Sequence, residues 1–376
     1  AAVLRRLGET RSERPRRRLL ALDLPTGVDA DSGAVDSLCV AAEVTVALGH
    51  SKVGLHMLPG AEYAGRVQVV EIGLPGELSQ ELPYELMDGH WARSVLPARP
   101  AGANKGTFGR ALVVAGSLHY VGAASLASAG AGRVGAGLVT LACPRAIYPI
   151  VAAKLTEATF LPLPDVEGQL SAEAVHPVQR ALAQGYNAMV VGCGLGQSGY
   201  VRAFVRSLLP ALTGEGLRGV VVDADGLNAV AGSGWWGQAK APLVVTPHPG
   251  EMARLTGLAI EEVQADRLAA AVRYAREWGC VVVLKGAHTV VAAADGRARL
   301  SPFANPALAS GGTGDVLAGA IAGLLAQGLE PFDAAAAAVY LHGRAGERLR
   351  QEMGVAGVLA GDLLPVLPLV IRDLTS

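Results

Sequence analysis

Short apolar runs recur along the chain, and each of them ends at glycine, proline or aspartate. Near the start the runs are LLALDLP, VTVALG and VQVVEIGLP, within residues 19–75. Apolar segments of this length that stop at turn-forming residues are typical of buried β-strands. We therefore predict three strands here, the first of them ended by Pro25 and followed by the turn TGVDADSG.

Beyond residue 100 the apolar runs alternate with alanine- and leucine-rich segments of helical pattern. The predicted strands lie in residues 110–117, 137–144, 187–194, 219–226, 242–250, 280–286 and 289–296. Such alternation is typical of an α/β unit, in which helices cover both faces of a parallel sheet. Prolines and glycines cluster in residues 75–100, where the apolar pattern fades, and this predicts a domain junction.

The segments that follow these strands carry most of the polar chemistry. They read GS, GCGLG, DADG, TPHPGE and KG in chain order. In open parallel sheets, ligands bind outside the carboxyl ends of the strands. We therefore expect these segments to meet at one edge of the sheet and to form a binding site.

The overall composition fits a globular chain of two or three domains. Of 376 residues, 51% are hydrophobic, 17% charged and 5% aromatic, which is enough to bury a substantial core. No apolar stretch reaches the roughly 20 residues of a membrane span. The 4 cysteines are far apart in the sequence, without a CxxC pair, which predicts neither a zinc site nor a disulfide framework. We expect a cytoplasmic protein without a membrane partner.

The charge pattern gives little reason to expect a nucleic acid partner. The formal net charge is -1, although arginines crowd residues 1–18. A nucleic-acid-binding arm is one interpretation of these arginines, and a solvated helix face followed by a loop is the one we favour. The chain opens within this helical pattern, without the apolar core of a signal peptide. We therefore expect that the N-terminus has been cut off and is not the product of signal-peptide processing.

Two segments match the GxGxxG pattern of dinucleotide-binding loops. Residues 130–135 precede a predicted strand, which is the wrong context, so close helix packing explains them better. Residues 194–199 follow a strand, and Asp223 could bind the ribose of NAD. A glycine turn that lines another ligand is the interpretation we prefer.

Four polar residues at predicted strand ends allow both a structural and a functional interpretation. Asp223 and Asp225 either both face a metal-bound phosphate, or one of them caps the following helix. His248, between two prolines, is either a structural residue or a ligand contact, and we favour the contact. Lys285, next to a buried strand, is either a surface lysine or the partner of an anion, for which phosphate is the natural candidate.

The segment GGTGDVLAG, residues 311–319, predicts a place where phosphate binds. Gly311, Gly312 and Gly314 allow backbone N–H groups to turn inward, and the helix that follows directs its N-terminus to the same point. Asp315 is either an ordinary helix cap or a base that accepts a proton from an attacking hydroxyl. Which of the two applies depends on the direction of its side chain.

Taken together, these segments resemble the ADP- or ATP-dependent NAD(P)H-hydrate dehydratases, a branch of the ribokinase-like fold. The resemblance covers about residues 88–376 and rests on NKGTFG, GCGLG, DADGLN, TPHPGE, KGAHT and NPALASGGTGDVLAG in this order. It implies that Asp315 is the catalytic base. The other implied contacts are Ala123, Gly194, His248 and Asp315 for the hydrated nicotinamide, and Lys285, Gly286, Ala287, His288, Thr289, Gly311, Gly312, Thr313 and Gly314 for the nucleotide.

The resemblance also implies a reaction. Family members restore NADH and NADPH from their S hydrates, and ADP or ATP, with Mg²⁺, supplies a phosphoryl group that turns a poor leaving group into a good one. The enzyme is then a hydro-lyase, and a homo-oligomer is expected. The sequence does not indicate the preferred nucleotide or the preferred hydrate.

Residues 20–75 resemble the last part of an NAD(P)H-hydrate epimerase domain. The resemblance implies that Asp23 contacts substrate and that Thr26 binds potassium. We place an incomplete Rossmann-like epimerase domain at residues 1–87 and the dehydratase domain at 88–376. The asparagine- and glycine-rich phosphate loop of epimerases has no counterpart here, which argues against epimerase activity.

Two other functions fit some of the same residues. A ribokinase-like kinase of a vitamin alcohol would use the same Asp315 arrangement, although TPHPGE favours the repair enzyme. A non-catalytic nucleotide sensor would keep the glycine loops without turnover. The accumulation of a phosphorylated product separates the first from the repair enzyme, and the effect of replacing Asp315 separates the second.

Overall fold

A computed structural model describes residues 2–13, 18–80, 82–234 and 239–376. The chain divides into two compact units, residues 1–85 and residues 86–376. No helix of the described residues combines the length and the apolarity that crossing a membrane requires.

The N-terminal unit is built on a 3-stranded sheet in the order β1-β2-β3. The strands are β1 (Leu20–Leu22), β2 (Val44–Leu48) and β3 (Arg66–Val70), all parallel, and they confirm the three predicted from the apolar runs. The helices are α1 (Ala2–Glu13), α2 (Gly60–Ala64) and α3 (Glu77–Gln80). Arg5 and Arg6 are exposed on α1, as the solvated-face interpretation expects, whereas Arg14, Arg16 and Arg17 lie outside the described residues.

A 10-stranded sheet forms the centre of the C-terminal unit, in the order β4-β15-β14-β13-β12-β11-β10-β5-β6-β7. Its strands are β4 (Tyr84–Leu86), which spans the unit boundary, β5 (Arg110–Val114), β6 (Leu138–Pro144), β7 (Thr159–Leu163), β10 (Ala188–Val191), β11 (Gly219–Val222), β12 (Leu243–Val245), β13 (Val281–Leu284), β14 (Val290–Ala292) and β15 (Ala298–Leu300); β8 (Asp165–Val166) and β9 (Gln169–Leu170) form a separate hairpin.

Each strand predicted after residue 100 is present, but the last of them, β14, is antiparallel to its neighbours. The pairs from β7 to β13 are parallel, whereas β14 pairs antiparallel with both β13 and β15. Only residues 285–289 connect β13 to β14, and a parallel pair would need a crossover of a dozen or more residues. The pattern missed β7, which contains Pro162, and the short strands β4, β8, β9 and β15.

Helices cover the sheet of the C-terminal unit. They are α4 (Gly89–Val95), α5 (Val121–Arg133), α6 (Tyr148–Lys154), α7 (Val175–Leu182), α8 (Gly199–Leu208), α9 (Asp225–Val230), α10 (Pro249–Thr256), α11 (Ile260–Ala265), α12 (Arg267–Trp278), α13 (Thr313–Ala326), α14 (Pro331–Met353) and α15 (Ala360–Thr375). Beyond its first turn, α13 is buried around its whole circumference, as expected for a helix that is apolar on all sides.

Glycines allow α5 and α13 to pack backbone against backbone. A Cβ at Gly130 would lie 2.5 Å from the carbonyl oxygen of Val316, and one at Gly319 would overlap the carbonyl of Ala127. This contact confirms helix packing for Gly130, the first glycine of residues 130–135. It also fixes the N-terminus of α13, which carries Asp315, against α5.

Replacing Gly319 with alanine should destabilise the protein by about 1–3 kcal/mol, because the added methyl group forces the two helices apart. Gly132→Ala is the matched control, since a Cβ at this exposed position of α5 meets nothing within 4 Å. The control should be neutral or gain up to about 1 kcal/mol from its better helix propensity. Urea unfolding followed by circular dichroism measures both, and equal midpoints for the two variants would contradict the close contact.

Candidate functional site

The carboxyl ends of four neighbouring strands lie at one edge of the sheet. The strands β10, β11, β12 and β13 are adjacent, and they lead into GCGLG, DADG, TPHPGE and KGAHT. The predicted convergence of these segments is therefore present. The start of α13 reaches the same place, because a Cβ at Gly314 would lie 3.5 Å from Lys285 Nζ.

Asp223, at the end of β11, is the most buried carboxylate of this cluster, with 1% of its surface exposed. One of its oxygens, Oδ1, accepts hydrogen bonds from Thr246 Oγ1 at 2.6 Å and from Lys285 Nζ at 2.6 Å. Asp223 therefore has no exposed oxygen to offer to a ribose, and the alternative of a Rossmann-type NAD site loses its acidic residue.

The helix-capping interpretation of the two aspartates is wrong. The cap of α9 is Ala224, without a side-chain hydrogen bond. Asp225 instead accepts hydrogen bonds from Gly196 N at 2.8 Å and from Gln197 Nε2 at 3.1 Å. It thus holds the GCGLG loop in place.

Lys285 is an internal lysine, with 17% of its side chain exposed, so the surface-lysine interpretation is wrong. The anions beside it are protein carboxylates, at 2.6 Å from Asp223 Oδ1 and 3.7 Å from Glu251 Oε2. Burial by itself lowers the pKa of Lys285, but Asp223 and Glu251 outweigh burial and raise that pKa overall. Phosphate is therefore not needed to compensate the ammonium charge, and a nucleotide contact of Lys285 stays a prediction.

Asp315 does not cap its helix. The cap of α13 is Gly312, which has φ +91° and makes no side-chain hydrogen bond, and Asp315 is the third helical residue. Its carboxylate lies with Cys193 Sγ and an Asp223 oxygen in a group whose atoms are all within 4.8 Å of one another. The structure thus answers the question of direction: the side chain of Asp315 points towards the strand ends.

The surroundings of Asp315 suit a proton acceptor at neutral pH. Burial and, after it, the charge of Asp223 raise the pKa of Asp315 to about 7, against the weaker opposing effects of Cys193 and Lys285. A carboxylate with this pKa accepts a proton more readily than an ordinary surface aspartate.

His248 is the cap of α10. Its Nδ1 accepts from Gly250 N at 3.0 Å and from Glu251 N at 3.4 Å, so the ring proton lies on Nε2, which is 3.5 Å from Glu251 Oε1. Burial, with the positive charges of Lys285 and Arg254, lowers the pKa of His248. The structural interpretation therefore applies, and because half of the side chain is exposed, 50%, a ligand contact stays a prediction. The histidine and the glutamate three residues later have capping-box spacing, which could have revealed the cap.

Ala123 and Gly194, both implied by the resemblance, lie side by side. Gly194 has φ +63°, and a Cβ there would lie 2.7 Å from the Cβ of Ala123 and 2.6 Å from that of Tyr120. Ser117 Oγ donates to the Gly194 carbonyl at 2.8 Å. A larger residue at position 194 would therefore displace the start of α5.

The KGAHT segment turns its larger side chains towards the protein. His288 is buried, and its Nδ1 lies 3.1 Å from the carbonyl oxygen of Ser301. Thr289 Oγ1 donates to the Gly286 carbonyl at 2.8 Å, which leaves mainly backbone for a ligand. Next to the segment is an open cleft of about 510 Å³, whose lining includes His288, Phe303, Arg344 and Glu347.

The sequence analysis did not identify Arg267, which holds the backbone at the start of the KGAHT segment. The residue is 6% exposed, and Nη2 donates to the carbonyls of Leu284 at 2.9 Å and Lys285 at 3.2 Å. Burial lowers the pKa of Arg267 to about 10. The only signal in the sequence is an arginine at the start of a helix that ends just before the KG-bearing strand.

The N-terminal unit carries its own predicted site residues. Asp23 has φ 67°, pairs with Lys52 and accepts from Leu48 N at 3.0 Å. The hydrogen bond from Lys52 is the main cause that lowers the pKa of Asp23. Thr26 is exposed in the turn after β1, and its role as a potassium ligand stays a prediction.

The cluster of Cys193, Asp223 and Asp315 has three potential metal ligands but does not fit Mg²⁺. Magnesium prefers an octahedral set of oxygen ligands, and a thiol does not belong to such a set. In addition, the Lys285 ammonium already lies 2.6 Å from Asp223. A magnesium ion would therefore arrive with the phosphates of a nucleotide, as part of the substrate.

Two sequence families match the chain. A model described as NAD(P)H-hydrate dehydratase matches residues 111–369, and one described as YjeF-related protein N-terminus matches residues 1–54. The bifunctional NAD(P)H-hydrate repair enzyme of Moorella thermoacetica is 44% identical over 362 residues, which cover 95% of this chain and 67% of that protein. Its counterpart in Salinibacter ruber is 42% identical and covers 94% and 66%. The chain thus spans about two thirds of the length of these relatives.

Solved structures confirm the predicted α/β class of ribokinase-like fold. An ADP/ATP-dependent NAD(P)H-hydrate dehydratase from Bacillus subtilis, co-crystallised with ATP and Mg²⁺, matches with 34% identity and a TM-score of 0.66, over 77% of this chain and 98% of that chain. A ribokinase-like superfamily protein from Enterococcus faecalis matches with 26% identity and a TM-score of 0.68, over 78% and 96%.

Proposed function

We propose that this chain, which belongs to the NAD(P)H-hydrate dehydratase family, dehydrates the S hydrates of NADH and NADPH with ADP or ATP as phosphoryl donor. The proposal is based on one observation: the carboxylate of Asp315 does not cap α13 and points to the strand ends. A vitamin-alcohol kinase would use the same base, so the family match and TPHPGE favour the dehydratase.

In the proposed first step, Asp315 removes the proton of the C6 hydroxyl while the oxygen attacks the terminal phosphorus of the nucleotide. The bond from that phosphorus to the bridging oxygen breaks, and ADP leaves as AMP, or ATP as ADP. Backbone N–H groups of Gly312 to Gly314 and the N-terminus of α13 stabilise the charge on the phosphoryl oxygens. Mg²⁺ enters with the nucleotide and neutralises its phosphates.

The second step releases phosphate. The lone pair of the ring nitrogen expels the phosphate bound to C6, and the loss of a proton from C5 then forms the C5=C6 double bond of the reduced nicotinamide. We place the substrate ring beside Ala123, Gly194 and His248, and the nucleotide along Lys285 to Thr289 and Gly311 to Gly314. We place the adenosine half in the open cleft beside His288.

The test is a hydrate assay with each donor. Purified chain, Mg²⁺ and S hydrate should regain the absorbance of reduced nicotinamide with ADP or ATP, in step with inorganic phosphate, and should regain none without nucleotide. A phosphorylated organic product that accumulates would favour the kinase, and binding without turnover would favour the sensor. Running NADH and NADPH hydrates in parallel determines the preferred substrate.

Three further predictions concern the N-terminal unit, the oligomeric state and the cellular location. We expect no conversion of the R epimer, because residues 1–75 contain no counterpart of the epimerase phosphate loop. Adding R hydrate to the same assay tests this directly. A homo-oligomer, which light scattering would detect, and a cytoplasmic location are expected from the family.

A further inference from the structure

Arg267, the first residue of α12, is a buried cation whose hydrogen bonds all go to neutral groups. Besides the carbonyls of Leu284 and Lys285, which accept from Nη2, the side chain of Gln264 accepts from Nη1 at 2.7 Å. Its Nε is buried and has no acceptor among the described residues. The guanidinium is therefore held in place by hydrogen bonds that leave its charge uncompensated.

No carboxylate within the described ranges pairs with this guanidinium. The acidic residue next to it in sequence, Asp266, caps α12 instead and accepts from Ala269 N at 2.9 Å. Burial lowers the pKa of Arg267 to about 10, so the residue is still charged at neutral pH. A buried charge without a partner is costly, and the positive end of the α12 dipole adds to the cost. Such a charge is typical of a functional site.

The guanidinium lies against the segment to which we assign the nucleotide. Gly286 is exposed, and a Cβ there would lie 3.0 Å from Arg267 Nη2 and 3.2 Å from Nη1. The next backbone N–H, that of Ala287, has no acceptor in the part of the chain that the structure describes. A phosphate at this backbone would therefore meet an N–H donor with a positive charge close behind it, and charge-assisted contacts of this kind are strong.

We propose that Arg267 is a positioning residue for the nucleotide: it fixes the backbone of the KGAHT segment, and its charge strengthens the binding of the nucleotide phosphates. The inference rests on the proposed function, since it takes Lys285 to Thr289 as the nucleotide-binding segment. The anion that compensates the guanidinium is then the polyphosphate of ADP or ATP. Because Arg267 is buried behind Gly286, it acts through the segment and without touching the ligand.

The test compares three ligands that share adenosine but differ in charge. Calorimetric titration without Mg²⁺ measures the affinities for ADP, for AMP and for uncharged adenosine. Arg267→Met removes the positive charge, so the affinity for ADP should fall by about ten- to hundredfold, that for AMP by less, and that for adenosine by no more than about threefold. The loss for ADP should shrink as the ionic strength rises, because salt screens the interaction.

Two further variants separate charge from structure. Arg267→Lys keeps the charge but loses the planar fork, so it should retain most of the preference for ADP over adenosine. Arg273→Met is the matched control, because Arg273 lies on the same helix with 68% of its side chain exposed, and it should leave all three affinities unchanged. If the methionine variant does not fold, Arg267→Gln, which keeps an N–H donor for the carbonyls, replaces it with the same expectation.

The outcomes distinguish the inference from the proposed function. Equal losses for ADP and adenosine in the neutral variant, independent of salt, would mean that the guanidinium only supports the backbone, and this would overturn the proposal. Unchanged affinities would overturn it as well. A wild type that binds ADP with the expected dependence on charge but turns over no hydrate would instead contradict the proposed function.

Discussion

Asp315→Asn should reduce dehydratase turnover by about a hundred- to ten-thousandfold while nucleotide affinity changes little. The amide has the size of the carboxylate but cannot accept a proton from the attacking hydroxyl, and a positioned base contributes about this much to a rate. Folding should not suffer, because the variant removes a carboxylate that Asp223 and burial already disfavour. Single-turnover kinetics with S hydrate and calorimetric titration with ADP measure the two effects.

Asp362→Asn is the matched control for this prediction. Asp362 occupies the same third position of a helix, α15, but there it does cap, accepting from Leu359 N at 2.8 Å. Its replacement should cost at most about 1–2 kcal/mol of stability and leave turnover intact. An Asp315→Asn variant that keeps more than a tenth of the wild-type turnover would rule out the assigned base.

Lys285→Met should destabilise the protein by about 3–5 kcal/mol, because it leaves the buried carboxylate of Asp223 without its ammonium partner. Glu251, 5% exposed, loses a nearby positive charge in the same variant. The double variant Lys285→Met with Asp223→Asn should recover a large part of the loss, since it removes the uncompensated charge as well. Urea unfolding of the wild type, both single variants and the double variant gives the coupling energy.

Lys105→Met is the control for Lys285→Met, because Lys105 is exposed and lies outside the strand ends. It should change stability by no more than about 0.5 kcal/mol. If the single Lys285 variant unfolds at the urea concentration of the wild type, the ion pair does not compensate Asp223 as the structure indicates. The double variant should still have a low turnover even when it is stable, because the electrostatic field around Asp315 has changed.

The location of the site could be predicted from the sequence, because strand ends are marked by local patterns. Apolar runs that stop at glycine or aspartate predicted both the strands and the edge at which their polar residues meet. The direction of β14 was also accessible from the short connection at residues 285–289. The short strand β15, by contrast, carries too few apolar residues to give a signal.

The partners within the site could not be predicted in the same way. The burial of Lys285 indicated that it needs an anion, but only the folded chain shows that Asp223, far away in sequence, supplies it. At the start of a helix, the side chain of Asp315 could either cap the helix or point to the strand ends. The outcome depends on Gly312, which occupies the cap position. Cys193 gave no signal at all, because only the fold brings it close to Asp223 and Asp315.

The glycine contact between α5 and α13 constrains how the site can move. Ala123 lies in the first turn of α5 and Asp315 in the first turn of α13, and helices that touch backbone to backbone have little freedom to slide. We therefore expect Asp315 and Ala123, which lies beside Gly194, to move together as one rigid body. We expect opening motions in the segments around KGAHT and TPHPGE, and hydrogen exchange should be faster there than in either helix.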